Sequence, residues 1–201
     1  MVKALSCPKC GAPLNLQSED TRTVKCEYCD TIIQLDTQQN VSRIGKYVPK
    51  KDTGPLKLGM QGNFRGRNFQ VVGLLEYSNV DGDVWWEYLV VFDDGESAWI
   101  SYDDGDWSIL FKKKLRSPLP ENPRPGQVVT INNMSVFIEE VGVAKITNVA
   151  GEIPFAVDAD EEINYIDGYN TEDDSLVSIE YTEDEIEMFI GYETSKRGLG
   201  L

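Results

Sequence analysis

Histidine is absent from the 201-residue chain, and basic residues are scarce. Without histidine there is no Ser-His or Cys-His nucleophile pair and no histidine metal ligand, which excludes most familiar hydrolase and metalloenzyme designs. Nineteen Lys and Arg against 34 Asp and Glu give a formal net charge of −15, so the chain as a whole repels DNA and RNA. We therefore expect neither conventional acid–base catalysis nor contact with nucleic acid.

Long hydrophobic runs are also missing. No stretch approaches the roughly 18 apolar residues of a membrane-spanning helix, and Met1 to Ser6 lack the pattern of a secretory signal. We expect a cytoplasmic protein whose contact with a membrane is only indirect. The chain does contain 41% hydrophobic and 10% aromatic residues, which is enough to build a buried core.

The four cysteines form two CxxC pairs, Cys7-Pro8-Lys9-Cys10 and Cys26-Glu27-Tyr28-Cys29. Their spacing is typical of a four-thiolate zinc site. Two disulfides are the alternative, but such bonds rarely persist in a reducing compartment. A thioredoxin-like redox pair would need a βαβ context that the sequence does not show. The prediction is one structural Zn²⁺ in a ribbon over residues 1–36, and its ligands are Cys7, Cys10, Cys26 and Cys29.

A polar segment follows the predicted ribbon. Residues 37–57 carry Pro and Gly and show no periodicity, which is typical of a linker. Residues 1–57 hold 9 basic and 6 acidic side chains (net +3), whereas residues 58–201 hold 10 and 28 (net −18). The change of sign predicts two units, a basic ribbon and an acidic domain over 58–201.

Short runs of β-branched and aromatic residues recur through the second unit, separated by Asp-Gly turns. This spacing predicts a mainly β protein, a zinc ribbon followed by an all-β barrel or sandwich. Residues alternate along Trp85 to Phe92 so that both faces are apolar, and we expect both faces to be covered. The predicted strands are Phe69 to Leu75, Trp85 to Phe92, Ala98 to Tyr102, Trp107 to Phe111, Val128 to Ile131, Val136 to Val141, Ala144 to Val149 and Leu176 to Tyr181.

Two features of the second unit leave alternatives open. Gly59 precedes Phe69 by the same distance at which Gly126 precedes Val136. Two similar β subdomains, divided near residues 118–125, would explain this echo. The segment Thr182 to Ile190 fits one short C-terminal helix with a capping box, and a strand is the alternative.

Aromatic and acidic residues are concentrated in the first half of the second unit. Most of the aromatic area suits a core, but Trp and Tyr beside carboxylates also suit an organic cation through cation–π attraction. The possible ligand or partner contacts are Trp86, Glu87, Tyr88, Trp99, Asp104 and Trp107.

Two acidic stretches are predicted to be solvated surface, each with a binding role as the alternative. The carboxylates between Asp93 and Asp106 suit solvated turns, with a metal ion as the alternative. The acidic segment 152–187 suits a solvating surface, with docking of a basic protein or a polyamine as the alternative.

Several aromatic and glycine-containing strings stand out in the second unit: Gly62-Asn63-Phe64-Arg65-Gly66-Arg67-Asn68-Phe69-Gln70-Val71-Val72-Gly73, Trp86-Glu87-Tyr88, Ala98-Trp99-Ile100, Asp104-Gly105-Asp106-Trp107, Gly151-Glu152-Ile153-Pro154 and Gly191-Tyr192. Together they resemble domain-of-unknown-function family 4178 over roughly residues 56–198. The resemblance implies a bacterial accessory or regulatory protein, because members often carry an N-terminal zinc ribbon and lie near genes for polyamine synthesis and phage-shock-type membrane stress. It implies no active-site residues.

These observations favour a non-enzymatic adaptor that docks a partner protein in a polyamine- or membrane-stress-linked system. The main alternative is a sensor that binds a polyamine-type cation through aromatic and acidic residues. An enzyme is the third alternative, since the sequence offers no phosphate loop, nucleophile elbow or spare cysteine.

Overall fold

The computed structural model describes residues 5–45, 54–158 and 161–201. Within these ranges the chain forms strands and turns without a helix, so no described segment is a helix that could cross a membrane. The described strands are β1 Leu5–Ser6, β2 Pro13–Leu14, β3 Thr23–Lys25, β4 Ile32–Leu35, β5 Val41–Gly45, β6 Gln61–Phe64, β7 Arg67–Asn79, β8 Val84–Phe92, β9 Ser97–Asp103, β10 Asp106–Lys113, β11 Val128–Ile131, β12 Met134–Ile153, β13 Ile163–Asn170, β14 Leu176–Tyr181 and β15 Ile186–Thr194.

Eight of these strands close into an antiparallel barrel. Strands β7 to β10 form one meander and β12 to β15 form another. The meanders meet along two seams, where β7 pairs with β12 and β10 pairs with β15. Closure leaves no free edge in the ring, which is how antiparallel barrels avoid exposed ladders. The prediction of a mainly β fold with a barrel is confirmed.

The two halves of the barrel begin in the same way. Each starts with a short strand, β6 or β11, that forms a hairpin with the long strand after it. The Gly59 amide donates to Val71 O and the Gly126 amide donates to Ile138 O, both at 2.8 Å. Both glycines have positive φ, +80° and +85°, a conformation that favours glycine. The predicted echo is therefore a structural one, and the halves share one barrel. The segment 118–125 connects them.

Side chains alternate between the two faces of each strand, so the barrel has one interior hydrophobic core and two hydrophobic clusters on its outer face. The interior cluster takes residues from both meanders, among them Tyr77, Leu89, Ile146 and Phe189. One outer cluster covers the first meander and another covers the second. Along β8, odd-numbered residues join the interior and even-numbered residues join an outer cluster. The expectation that both faces of this strand are covered is confirmed.

The ribbon and the barrel share a sheet. Strands β3, β4 and β5 pair in order, and β3 also pairs with the end of β12, where Thr23 lies opposite Ile153. Val41–Gly45 lies inside the segment expected to be a linker but forms strand β5. Residues 46–53 of that segment lie outside the described residues. The predicted linker is thus partly a strand of the ribbon.

The helix predicted over Thr182 to Ile190 is wrong. Thr182 Oγ1 does accept a hydrogen bond from the Glu185 amide at 3.2 Å, but this contact lies in the turn between β14 and β15. Residues Ile186–Thr194 form β15, which pairs with β14 on one side and with β10 on the other. Backbone pairing of β15 with both neighbouring strands and burial of Met188 stabilise the strand more than a capping interaction would stabilise a helix.

Two other details of the strand prediction are corrected. Val136 to Val141 and Ala144 to Val149 belong to one strand, β12, because irregularities after Ile138 and Ile146 let it bend without ending. Strand β13 was not predicted, and its Asp167-Gly168 has the composition of a turn. Gly168 instead allows a close approach, since a Cβ there would lie 2.0 Å from Phe137 O.

Closure of the β10–β15 seam can be tested at Gly191, which lies opposite Leu110. A Cβ at this position would lie 2.0 Å from Ile109 O, so Gly191→Ala must push the strands apart. We expect a loss of about 2–3 kcal/mol in the free energy of unfolding and a fall of roughly 5–10 °C in Tm. Thermal denaturation followed by circular dichroism measures this. Gly105→Ala, in an open turn, is the control and should cost about 1 kcal/mol. Equal Tm values for the two variants would contradict the seam.

Candidate ligand cavity and cysteine cluster

The barrel interior opens at one end into a cavity of about 890 Å³. Its rim includes Asp83 of the β7–β8 turn, Asp103 and Asp104 at the β9–β10 turn, and Glu140 of β12. Ligand sites of drug-sized molecules range from about 300 to 1,000 Å³. The cavity is therefore large enough for a small organic molecule.

Aromatic rings form part of the cavity wall. Trp85 stacks on Tyr77 with 5.3 Å between ring centroids and an interplanar angle of 5°. It meets Tyr165 edge-on at 5.8 Å. The Tyr165 hydroxyl donates to Glu140 Oε1 at 2.5 Å, and burial together with this bond raises the pKa of Tyr165. These contacts hold Trp85 and Tyr165 in place beside the cavity.

Two carboxyl groups lie inside the cavity, Glu87 on β8 and Asp167 on β13. Glu87 is only 9% exposed, and burial, followed by the negative charge of Asp167, raises its pKa to about 8. Burial also raises the pKa of Asp167 to about 6, with repulsion from Glu140 adding to the effect. Asp167 Oδ1 is buried and has no hydrogen-bond partner among the described residues. The interior therefore disfavours the charged form of both groups.

Among the described residues, no positive side chain offsets this acidity. The lining includes seven carboxyl groups, and none of its described residues is Lys or Arg. Farther along the barrel, Glu180 of β14 lines a smaller cavity of about 210 Å³. Burial, followed by the charge of Glu87, raises the pKa of Glu180 well above its ordinary value. The barrel interior thus combines apolar walls with carboxyl groups that repel one another.

Three of the six predicted contact residues reach the cavity, namely Trp86, Glu87 and Asp104. Glu87 projects into the interior, whereas Trp86 belongs to an outer cluster and reaches the cavity only at its lip. Asp104 lies on the rim, in a turn where its φ of +41° is positive.

The other three predicted residues lie elsewhere. Tyr88 is completely buried on the outer face, where its hydroxyl accepts a hydrogen bond from the Leu56 amide at 3.3 Å. Trp107 packs on Tyr102 with 4.6 Å between centroids. Trp99 belongs to the interior cluster beside Phe155, and the cavity lining does not include it.

Residues that the sequence analysis did not single out complete the cavity. Trp85 was not predicted, although it lies two positions before the predicted Glu87 on β8 and therefore shares its face. The carboxylate between Trp85 and Leu89 on an otherwise apolar face was the signal available. Tyr165 and Asp167 were missed because strand β13 was not predicted.

The acidic turn cluster divides between the two ends of the barrel. At the β8–β9 turn, Arg67 Nη2 lies 2.6 Å from Asp94 Oδ2 and 2.8 Å from Glu96 Oε2, while its guanidinium lies over Phe92 at 4.0 Å. This part of the cluster is an ion-paired turn. The carboxylates near Asp103 lie instead at the cavity rim.

The acidic segment 152–187 is not simply a surface. Asp167 and Glu180 face the interior, and Glu152 is buried with 5% of its surface exposed. Asp160, which contributes to the acidity of this segment, lies outside the described residues.

The four cysteines form a second candidate site. Their sulfur atoms lie within 4.8 Å of one another, with Cys7 Sγ 3.6 Å from Cys29 Sγ and Cys10 Sγ 3.7 Å from Cys26 Sγ. A tetrahedral ion with metal–sulfur bonds of about 2.3 Å would place its ligands about 3.8 Å apart. The distances exceed the roughly 2.05 Å of a disulfide. The cluster therefore fits a metal ion, as predicted.

The backbone around each CxxC pair supports this geometry. The Gly11 amide donates to Cys7 O at 2.8 Å and the Asp30 amide donates to Cys26 O at 2.9 Å. Cys29 Sγ lies 3.2 Å from Thr31 Oγ1, a hydrogen bond that orients this ligand.

Residues 57–196 match the model of a family described as Domain of unknown function (DUF4178). This range spans both halves of the barrel and leaves the ribbon outside, and it confirms the resemblance found in the sequence. No curated protein and no solved structure matches the chain.

The acidity of the cavity predicts how the stability of the fold depends on pH. Because folding raises the pKa of Glu87 from 4.5 to about 8, the folded state retains a proton that the unfolded state has lost between these values. Stability should therefore fall as pH rises through this window, by up to about 1.4 kcal/mol per pH unit for this group. Glu87→Gln removes the group and should flatten the dependence.

The measurement is Tm at about pH 5 and about pH 8 in wild type, Glu87→Gln and the surface variant Glu121→Gln. Glu121→Gln changes an exposed carboxylate that is not part of the cavity lining, and it should follow wild type. If Glu87→Gln lost as much stability on alkalinisation as Glu121→Gln, Glu87 would be ionised in the folded protein and its assignment as a neutral interior group would be wrong.

Proposed function

The chain belongs to the DUF4178 family, and we propose that its barrel binds a small organic cation of the polyamine type, as a sensor and not as an enzyme. The single observation that carries the proposal is the cavity lining, with seven carboxyl groups, an aromatic wall and no Lys or Arg among its described residues. A cation is the ligand that such a lining complements.

Buried carboxyl groups are the first support. An ionised carboxylate removed from water costs several kcal/mol unless a counter-charge compensates it. Glu87 and Asp167 occupy interior positions where apolar side chains would stabilise the fold more. A bound ammonium group supplies the counter-charge and converts an unfavourable arrangement into a favourable one.

The aromatic wall is the second support. A desolvated ammonium over Trp or Tyr gains about 2 kcal/mol by cation–π attraction, and Trp85 and Tyr165 flank the interior carboxyl groups. Carboxylates lie at two levels, at the rim with Asp103 and Glu140 and deeper with Glu87 and Asp167. A linear molecule with amino groups spaced along its length suits this distribution better than a compact ion with one charge.

The cysteine cluster takes a separate role in this proposal. Four soft sulfur ligands in a tetrahedral arrangement suit one Zn²⁺, and four protein ligands leave no open position for catalysis. When bound, the ion stabilises the fold of the ribbon. Cys7, Cys10, Cys26 and Cys29 would hold it.

Docking of a partner protein, the adaptor role expected from the sequence, stays a prediction. Docking at a surface does not require carboxyl groups inside the barrel, so the cavity does not support this role. We place cation binding first because it rests on a defined cavity.

Cation binding is tested by titrating the full chain with spermidine and following tryptophan fluorescence. Ionic strengths of about 0.05 and 0.5 M separate a site from diffuse attraction, since salt screens exposed charges far more than buried ones. Wild type should retain most of its affinity at the higher salt, and Glu87→Gln should weaken binding about tenfold or more. Glu121→Gln, with the same loss of charge, should bind like wild type.

The same titration has a pH signature. Glu87 and Asp167 must lose protons to pair with a cation, so affinity should rise from about pH 6 to about pH 8, by up to tenfold per pH unit for each proton released. Binding that disappears with salt in every variant would show only that a protein of net charge −15 attracts cations, and the proposal would fail.

The zinc assignment is tested by elemental analysis of the purified protein, which should find one zinc per chain. Cys10→Ser should reduce the zinc content severely, because it removes one of four ligands. Tyr28→Ser is the matched control, since Tyr28 lies within the second CxxC pair, is 71% exposed and offers no sulfur. Full zinc content in Cys10→Ser, or a different metal in wild type, would contradict the assignment.

A further inference from the structure

We propose that the metal-bound ribbon forms the floor of the barrel, so that metal occupancy stabilises the cavity and strengthens cation binding in it. The consequence for cation binding rests on the function proposed above. The predicted stabilisation of the barrel by the metal-bound ribbon does not depend on that function.

Strand β4 connects two cores. Ile32 is 4% exposed and belongs to the interior cluster of the barrel, whereas its neighbour Ile33 is fully buried in the cluster of the ribbon. Adjacent residues of a strand point to opposite faces. One strand of the ribbon therefore contributes a side chain to the barrel core.

A short segment after β12 closes the barrel at the end away from the cavity mouth. Phe155 packs against Trp99 at 6.3 Å between centroids, and Val157 is buried in the interior cluster. The mouth lies near Glu140 on β12, whereas this segment follows Ile153 at the other end of the same strand. The floor consists of Ile32 and the segment 153–157.

The ribbon holds this segment through hydrogen bonds. Thr23 Oγ1 donates to Phe155 O at 2.8 Å and accepts from the Val157 amide at 3.1 Å. Gln34 Nε2 donates to Val157 O at 2.8 Å. Strands β3 and β4 thus both bind the floor segment.

Glu152 provides a second attachment. Its Oε1 accepts from the Gln17 amide at 2.7 Å, and its Oε2 accepts from Thr21 Oγ1 at 2.6 Å and from the Ser18 amide at 3.3 Å. A carboxylate of the barrel therefore orders the loop that precedes β3.

The metal site is contiguous with these contacts. Cys26 follows the last residue of β3, and Cys29 precedes Ile32 by three positions. A ribbon of this size has a small core and depends on its metal for folding. Loss of the metal should therefore release both strands that bind the floor.

Packed side chains of the interior cluster connect the floor to the cavity, which couples metal binding to cation binding. Leu110 belongs to the same interior cluster as Ile32 and also lines the cavity. Binding free energies that are coupled in this way are reciprocal, so a bound cation must also strengthen metal binding.

The experiment compares the zinc-loaded full chain with the chain stripped by a chelator. All four tryptophans lie beyond residue 84, so their fluorescence reports on the barrel and not on the ribbon. We expect stripping to lower the Tm of the tryptophan transition and to weaken spermidine binding by about tenfold. Added spermidine should in turn raise the chelator concentration that removes half of the zinc at equilibrium.

Variants separate the floor from the metal site. Ile32→Ala should still bind one zinc but should have a lowered tryptophan Tm, and stripping should shift its Tm less than that of wild type. Ile44→Ala is the matched control, because Ile44 lies in the same ribbon and is 52% exposed. It should behave like wild type in every measurement.

The outcomes distinguish the two proposals. A tryptophan transition that is unchanged by stripping overturns the floor, whatever the result with spermidine. A transition that shifts while spermidine binds neither form supports the floor and refutes the proposed function. Equal spermidine affinity in the loaded and stripped chains, with binding present, overturns the coupling.

Discussion

Closure of the barrel along the seams β7–β12 and β10–β15 is the constraint on which the rest of the structure depends. Either meander alone would leave two sheet edges unpaired and its interior face exposed to water. Joined at both seams, the meanders create an interior that can hold polar groups out of solvent. The raised pKa values of Glu87 and Asp167 follow from that enclosure and not from any special local sequence.

Carboxyl groups inside the barrel differ from those on its surface in what stabilises them. The acidic turns at the barrel surface are exposed, and Asp94 and Glu96 pair with Arg67, so their carboxylates contribute little to stability. The described linings bring no Lys or Arg to the interior carboxyl groups, and a fold under selection for stability alone would replace these groups with apolar residues. Under the proposed function, a ligand bound beside Trp85 and Tyr165 would supply the positive charge that the described lining lacks.

Local patterns in the sequence were sufficient for part of the structure. Spacing of the cysteines predicted the metal site, and alternation predicted β8 with both faces buried. Partners distant in sequence decided the rest. Residues Ile186–Thr194 form a strand because β10 and β14 lie on either side, and Asp167-Gly168 continues a strand because Gly168 accommodates a close neighbour. The cavity could not be predicted, since Glu87 and Asp167 meet only when the seams close.

The two halves of the barrel share a short sequence pattern in their second long strands. Each half carries an aromatic residue followed two positions later by an acidic one, Trp85 and Glu87 on β8 and Tyr165 and Asp167 on β13. Strand β8 flanks β7 and strand β13 flanks β12, so the two pairs lie on either side of the β7–β12 seam. The rings of Trp85 and Tyr165 touch across it, and Glu87 and Asp167 repel each other. Two copies of one short pattern thus converge in one cavity, and under the proposed function they would give a linear cation two walls that neither half provides alone.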